Sequence, residues 1–150
     1  MTISAKVIAH SRVDRGTPDL ITLQLRYPRM IHAEFMTHRV FSRNASSSRA
    51  IPVEKMIQDV IDDPAMPVRW GANQPGMQDA GDHDAPVKDP WHPGHIQKGQ
   101  TLRPEQAWCE ARDKAVDMAR AFADAGYHKQ VVNRLLEPFV DGVSDSELDE

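Results

Sequence analysis

Cysteine is nearly missing from this chain. Cys109 is the only one in 150 residues, so an internal disulfide is excluded and a reducing, cytoplasmic setting is the expectation. Long apolar runs are missing as well. Nothing approaches the roughly 20 consecutive apolar residues of a membrane span. The opening MTISAKVIAH has neither the apolar core nor the small-residue cleavage site of a signal peptide, so no membrane role is expected. Nor is there an excess of positive charge. Lys and Arg number 18 against 22 Asp and Glu, for a net charge of −4, which argues against a general nucleic-acid coat. The acidity is uneven, however. The closing DGVSDSELDE carries Asp141, Asp145, Glu147, Asp149 and Glu150, and without these five carboxylates the charge of −4 becomes +1. That stretch, 141–150, is expected to be a flexible, solubilising tail. With 40% apolar residues, residues 1–140 suit one domain with one core.

Hydrophobic periodicity divides that domain. Ile3 to Ala9 alternates loosely and predicts a short strand. Leu20 to Tyr27 alternates cleanly, with Ile21, Leu23, Leu25 and Tyr27 on one face, and predicts a half-buried strand. Gly16, Thr17 and Pro18 between them mark a hairpin turn. Pro28 suits a first helical turn, and a helix is expected from Arg29 to about Ser42, presenting His38 and Arg39 near its end. Val53 to Asp62 predicts a second helix with Met56, Ile57, Val60 and Ile61 as its apolar stripe. Residues 64–102 hold six prolines and five glycines without periodicity, the pattern of a functional loop, a lid or disorder. Pro104 to Ala125 predicts the longest helix, its stripe running Trp108, Ala111, Ala115, Met118, Phe122, with Gly126 as C-cap. A last helix is expected over His128 to Leu136, before Pro138.

The stretch HRVFSRNASSSRA, His38 to Ala50, concentrates Arg39, Arg43 and Arg49 with Ser42, Ser46, Ser47 and Ser48. Phosphate binding needs fixed positive charge, forked donors and unshielded backbone N–H groups, and small residues leave amides bare. By composition the stretch fits two readings: a nucleotide-phosphate site, or a solvated loop whose arginines pair with acids elsewhere.

The spacing resembles the signature of the flavin-dependent thymidylate synthases, Arg-His-Arg, seven residues, then Ser-x-Arg. His38-Arg39 matches the His-Arg pair, Val40 to Ser46 fills the gap, and Ser47 and Arg49 complete the pattern. Asn133-Arg134-Leu135-Leu136-Glu137-Pro138 is similar, more loosely, to the family's Ala-Arg-x-x-Leu-Pro. The resemblance implies an α/β protein of the α+β kind, a small antiparallel sheet packed with helices. It implies methylation of dUMP to dTMP, with FAD as cofactor and NADPH and methylenetetrahydrofolate as co-substrates, in a homotetramer with active sites between subunits. Thr37, His38 and Arg39 would then lie at FAD. Glu34, Ser47, Ser48, Arg49 and Arg134 would hold dUMP, with Glu34 on the uracil side. The chain departs from the pattern at Thr37, where the family has Arg, and at Ala45, where an acid is usual. The family also continues past the position of Pro138 with a ring-activating arginine, whereas here the acidic stretch follows; this motivates a shortened or split enzyme, or a module that binds FAD or nucleotide without chemistry. No enzyme cysteine attacks the uracil in this family, and Cys109, inside a helical pattern, reads as packing.

Other clusters have plainer readings. His83, His92 and His95 with Asp82 and Asp84 could bind zinc, but structural zinc sites usually show paired ligand spacings that are absent here, so no metal is expected. Trp70 to Met77 could cover a substrate, or Trp70 could simply anchor the loop.

Overall fold

The computed structural model describes residues 3–12, 19–76, 78–90 and 101–149, with the backbone alone for 143–149. Strands β1 (Ser4–Ser11) and β2 (Leu20–Pro28) form the expected antiparallel hairpin, with a register shift between Val7 and Ala9. The turn residues Gly16, Thr17 and Pro18 lie outside the described residues. After β2 come a single 3-10 turn (Arg29–Ile31) and the short helix α1 (His32–Phe35). Strand β3 (Ser42–Ala45) and helix α2 (Val53–Asp62) follow. Two-residue strands β4 (Val87–Lys88) and β5 (Thr101–Leu102) pair with each other. Then come α3 (Pro104–Asp124), α4 (Lys129–Val132), 3-10 turns at Asn133–Leu135 and Glu137–Phe139, and β6 (Asp141–Asp149). The main sheet is antiparallel in the order β1-β2-β6-β3, and with its packed helices the fold is α+β, as the resemblance implied.

Two expectations are corrected here. The acidic segment is not a flexible end: Asp141–Asp149 is an inner strand, its backbone pairing with the whole of β2 on one side and with Ser42–Ala45 on the other. Its polar composition hid it, because an antiparallel strand is held by ladder hydrogen bonds that any non-proline backbone supplies. The helix expected from Arg29 to Ser42 stops at Phe35. The chain turns at Met36 and Thr37, runs open through Arg39, bends at Val40 and Phe41, and enters β3, so part of the supposed Arg/Ser loop is a strand.

The core sits off the sheet. Met56, Ile57 and Val60 of α2 meet Val116 and Ala119 of α3 and Val132, Leu136, Phe139 and Val140 of the final turns. Helix α2 has the expected bounds, but Ile61 lies at its flank, 37% exposed. In α3 the buried line passes through Ala119 rather than Met118, which is 51% exposed. At 100° per residue Ala119 stands about 20° round the helix from Trp108 and Met118 about 80°. Pro104 opens α3, and Gly126 (φ +83°) closes it in the left-handed region. There the Tyr127 N–H donates to Phe122 O at 3.1 Å and the Gly126 N–H to Ala123 O at 2.9 Å, a Schellman closure. The expected last helix is split into α4 and a 3-10 turn.

Trp70 anchors its loop, as the plainer reading held: its ring meets Trp108 edge-on, Trp108 meets Phe139, and the Trp108 indole N–H donates to Ala65 O at 2.9 Å. Arg26 joins three elements, its guanidinium reaching Asp141 and Asp63 at 3.0 Å each. Burial raises the Asp141 carboxyl above its usual range against the pull of Arg26, and its second oxygen, Oδ1, is buried without a partner. Among the described residues no helix is long and apolar enough to cross a membrane.

The packing makes a contrast testable in urea. Leu136→Ala should cost about 2–5 kcal/mol, because it opens a cavity in a fully buried site, whereas Met118→Ala should stay within about 0.5 kcal/mol. The reverse ranking would place the core on the other face of α3.

Candidate functional site

Two segments separated by more than eighty residues are locked together here. The Asn133 side chain is fully buried, and its Nδ2 donates to Ser48 O at 2.7 Å and to Ile51 O at 2.9 Å. The Ser48 hydroxyl donates to Glu137 Oε1 at 2.9 Å. The turn carrying Ser47, Ser48 and Arg49 is thereby docked on the turn carrying Arg134. The Lys129 ammonium adds a bond of 3.3 Å to Ala50 O, bringing one more cation beside Arg49. Ser48 itself is 7% exposed with its hydroxyl spent on Glu137, so what it visibly does is shape the turn. Ser47 Oγ stays at the surface and accepts from the Arg49 backbone N–H at 3.3 Å and from its Nε at 3.4 Å.

Arg134 opens onto a cleft of about 460 Å³, lined also by Arg29, Met30, His32, Ala33, Glu137 and Pro138. Arg29 is held in place there. Its N–H donates to Val140 O at 2.8 Å, its guanidinium donates to Ser46 O at 3.1 Å, and its Nε faces Glu137 Oε1 at 3.9 Å. His32 stacks on Tyr27 with ring centroids 6.1 Å apart and shares a hydrogen bond of 2.7 Å with its hydroxyl. Burial first, and the Arg29 charge second, hold the His32 imidazole below its ordinary pKa. A neutral ring is therefore the resting form in this cleft at neutral pH.

The remaining candidates lie on α1 and the turn after it. Glu34, Thr37, His38 and Arg39 are all exposed. The Thr37 hydroxyl donates to Glu34 O at 2.7 Å and the His38 N–H to Phe35 O at 3.2 Å, closing α1. Arg43 donates to Phe35 O at 3.3 Å, and Phe35 stacks on Phe41. Among the described residues no hydrogen bond or ion pair joins Glu34, His38 or Arg39 to the Ser47–Arg49 turn. The structure thus brings together Ser47, Ser48, Arg49 and Arg134, and leaves Glu34, Thr37, His38 and Arg39 as a separate exposed group.

The alternative is a solvated loop whose arginines pair with acids elsewhere, and Arg39 and Arg49 are exposed. Among the described residues, no ion pair within 4.0 Å reaches Arg39, Arg43, Arg49 or Arg134. Several described acids are engaged elsewhere: Asp19 with Arg12, Asp59 with Lys55, Asp79 and Asp82 with Arg69.

Sequence reasoning missed Arg29, His32, Asn133 and Glu137. A signal existed for two of these. Asn133 and Glu137 stand where the resembling motif has Ala and Leu, and polar residues at apolar motif positions invite the question of what they bond. Of the zinc candidates, His92 and His95 lie outside the described residues, and among the described residues no group of three metal-ligating side chains occurs.

No family model and no curated protein matches the chain. Solved structures do. The fold is similar to that of PolB, a UMP/dUMP methylase from Streptomyces cacaoi. In its crystal structure bound with 5-Br UMP the TM-score is 0.59 at 12% identity, over 99% of this chain and 72% of that one. In the structure bound with 5-Br dUMP it is 0.51 at 13% identity, over 87% of this chain and 49% of that one, so this chain spans about half of that second molecule. The likeness is one of fold.

Two outcomes follow from this geometry. Asn133→Ala strands two buried carbonyls and should cost about 1–3 kcal/mol in chemical denaturation; a neutral result would mean that the turn does not depend on that amide. In an NMR titration His32 should protonate below the 6.5 of an ordinary histidine. The sign for stability follows: the unfolded chain takes up that proton first, so His32's contribution is complete above about pH 6.5 and declines as the pH falls below it. A His32 midpoint above 6.5 would contradict the burial seen here.

Proposed function

We propose that this chain binds a uridylate and is a methylase of the flavin-dependent thymidylate synthase type, converting dUMP to dTMP. One observation carries the reading: the Ser47–Arg49 turn is clamped onto the Arg134 turn by Asn133 and Glu137, so the two motif segments are held side by side. The fold of PolB, whose crystal structures hold 5-Br UMP and 5-Br dUMP, supports it.

On this reading Arg49 and Arg134 take the phosphate, with Ser47 Oγ and the bare amides of the turn completing the shell, since forked guanidiniums match phosphate oxygens. Neutral His32 and Arg29 face the remainder of the nucleotide. Because His32 carries no charge at neutral pH, it adds hydrogen bonding without attracting a second anion. His38 and Arg39 suit FAD: both are exposed, neither side chain is bonded to another among the described residues, and an imidazole with a guanidinium matches a diphosphate. When bound, FAD reduced by NADPH would supply the hydride that turns a carbon from methylenetetrahydrofolate into a methyl group. The protein's part is to hold the pyrimidine still and exclude water.

A homo-oligomer, tetrameric by the same resemblance, belongs to the proposal. Edge strand β1 supports it by leaving Val7 56% and Ile8 47% exposed, apolar area that a second copy would cover. A second reading, a module that binds nucleotide or FAD without chemistry, is favoured by Thr37 and Ala45, which remove a cation and an acid from the motif.

Purified protein should be yellow, absorbing near about 450 nm as flavins do, and should oxidise NADPH faster when dUMP is added. Arg49→Ala should weaken dUMP binding by about 10-fold or more in calorimetry, the usual effect of losing a charge-assisted bond. A flavin-bearing protein with no dUMP-stimulated oxidation would support the module instead. Colourless protein indifferent to dUMP would refute both.

A further inference from the structure

Glu137 is the one acidic residue lining the Arg134 cleft. Its Oε1 accepts from Ser48 Oγ at 2.9 Å and faces Arg29 Nε at 3.9 Å. The other carboxylate oxygen has no partner among the described residues, and the side chain, 31% exposed, lines the cleft. An ionised carboxylate only accepts hydrogen bonds, and like charge repels an anion at close range. It therefore divides the cleft by polarity, with the anionic end of a ligand toward Arg134 and a hydrogen-bond donor toward Glu137. On a pyrimidine nucleotide the donors nearest the phosphate are the sugar hydroxyls, and a carboxylate is the group that takes both hydroxyls of a ribose in other nucleotide sites.

We infer that Glu137 reads the sugar: its unengaged oxygen accepts from ribose hydroxyls, so the site takes the ribonucleotide UMP in preference to dUMP. This rests on the uridylate-binding part of the reading above and stands apart from its dUMP-to-dTMP step. Two features make the carboxylate fit for the task. Ser48 donates to one oxygen at 2.9 Å and Arg29 faces the same oxygen at 3.9 Å, which leaves the other without a partner among the described residues. A bond from a sugar hydroxyl to a carboxylate is charge-assisted. A ribose presents the 2′ and 3′ hydroxyls together, whereas a deoxyribose presents the 3′ hydroxyl alone and leaves part of the acceptor facing water.

The test is calorimetric titration of the full chain with UMP and with dUMP, on the wild type and on Glu137→Gln. Gln keeps an acceptor for Ser48 but puts an amide donor where the free oxygen was. The wild type should bind UMP about 10-fold tighter than dUMP, and Glu137→Gln should bring that ratio to within about 2-fold of one. The wild-type comparison stands on its own should the variant fold poorly. Equal affinity of the wild type for the two nucleotides overturns the sugar-reading role and leaves uridylate binding intact. So does a variant that weakens both nucleotides by the same factor, since that is what mere positioning of Ser48 would do. Binding of neither nucleotide to the folded wild type overturns the uridylate reading, and this inference with it.

Discussion

A single buried amide organises this molecule. Asn133 has no exposed surface, and its Nδ2 reaches two carbonyls of the turn that carries Ser48. Buried carbonyls need donors, and a side chain that satisfies two at once fixes the position of the turn as well as its shape. On either side of Asn133 the chain is anchored by Val132 and Leu136, both fully buried. The Ser47–Arg49 turn is therefore tied to the most rigid part of the protein. That rigidity matters for an anion site, because preorganised donors do not have to be ordered at the moment of binding.

Charge is sorted rather than mixed. The acids that are visible in pairs are consumed by Arg12, Arg26, Lys55, Arg69 and Arg112 at the periphery. Arg39, Arg43, Arg49 and Arg134 are left without such partners among the described residues. Glu137 breaks the pattern at one point, and its isolation among arginines is what gives the cleft a direction.

The inner position of β6 changes how the acidic end must be understood. Asp141 begins the strand, pinned by Arg26 and made reluctant to ionise by burial. From there the backbone fills the gap between β2 and β3, so the motif strand Ser42–Ala45 belongs to the sheet only because β6 bridges it to the hairpin.

Local patterns were enough for part of this. The alternation of Ile21, Leu23, Leu25 and Tyr27 marked β2, the stripe of Met56, Ile57 and Val60 marked α2, and Pro104 with Gly126 bounded α3, because period and backbone preference are carried by neighbours in the chain. The spacing from His38 to Arg49 and the run around Arg134 also named the segments that would matter. What local patterns could not carry was anything decided by a distant partner. The polar Asp141–Asp149 is a strand because β2 and β3 offer it two open edges. Helix α1 ends early because Phe35 and Phe41 stack and β3 has to reach the sheet. Met118 lies outside because α3 turns Ala119 to α2. Asn133, Glu137 and Arg29 became part of the site only through hydrogen bonds that span up to about ninety residues of chain, and no reading of adjacent residues reports those.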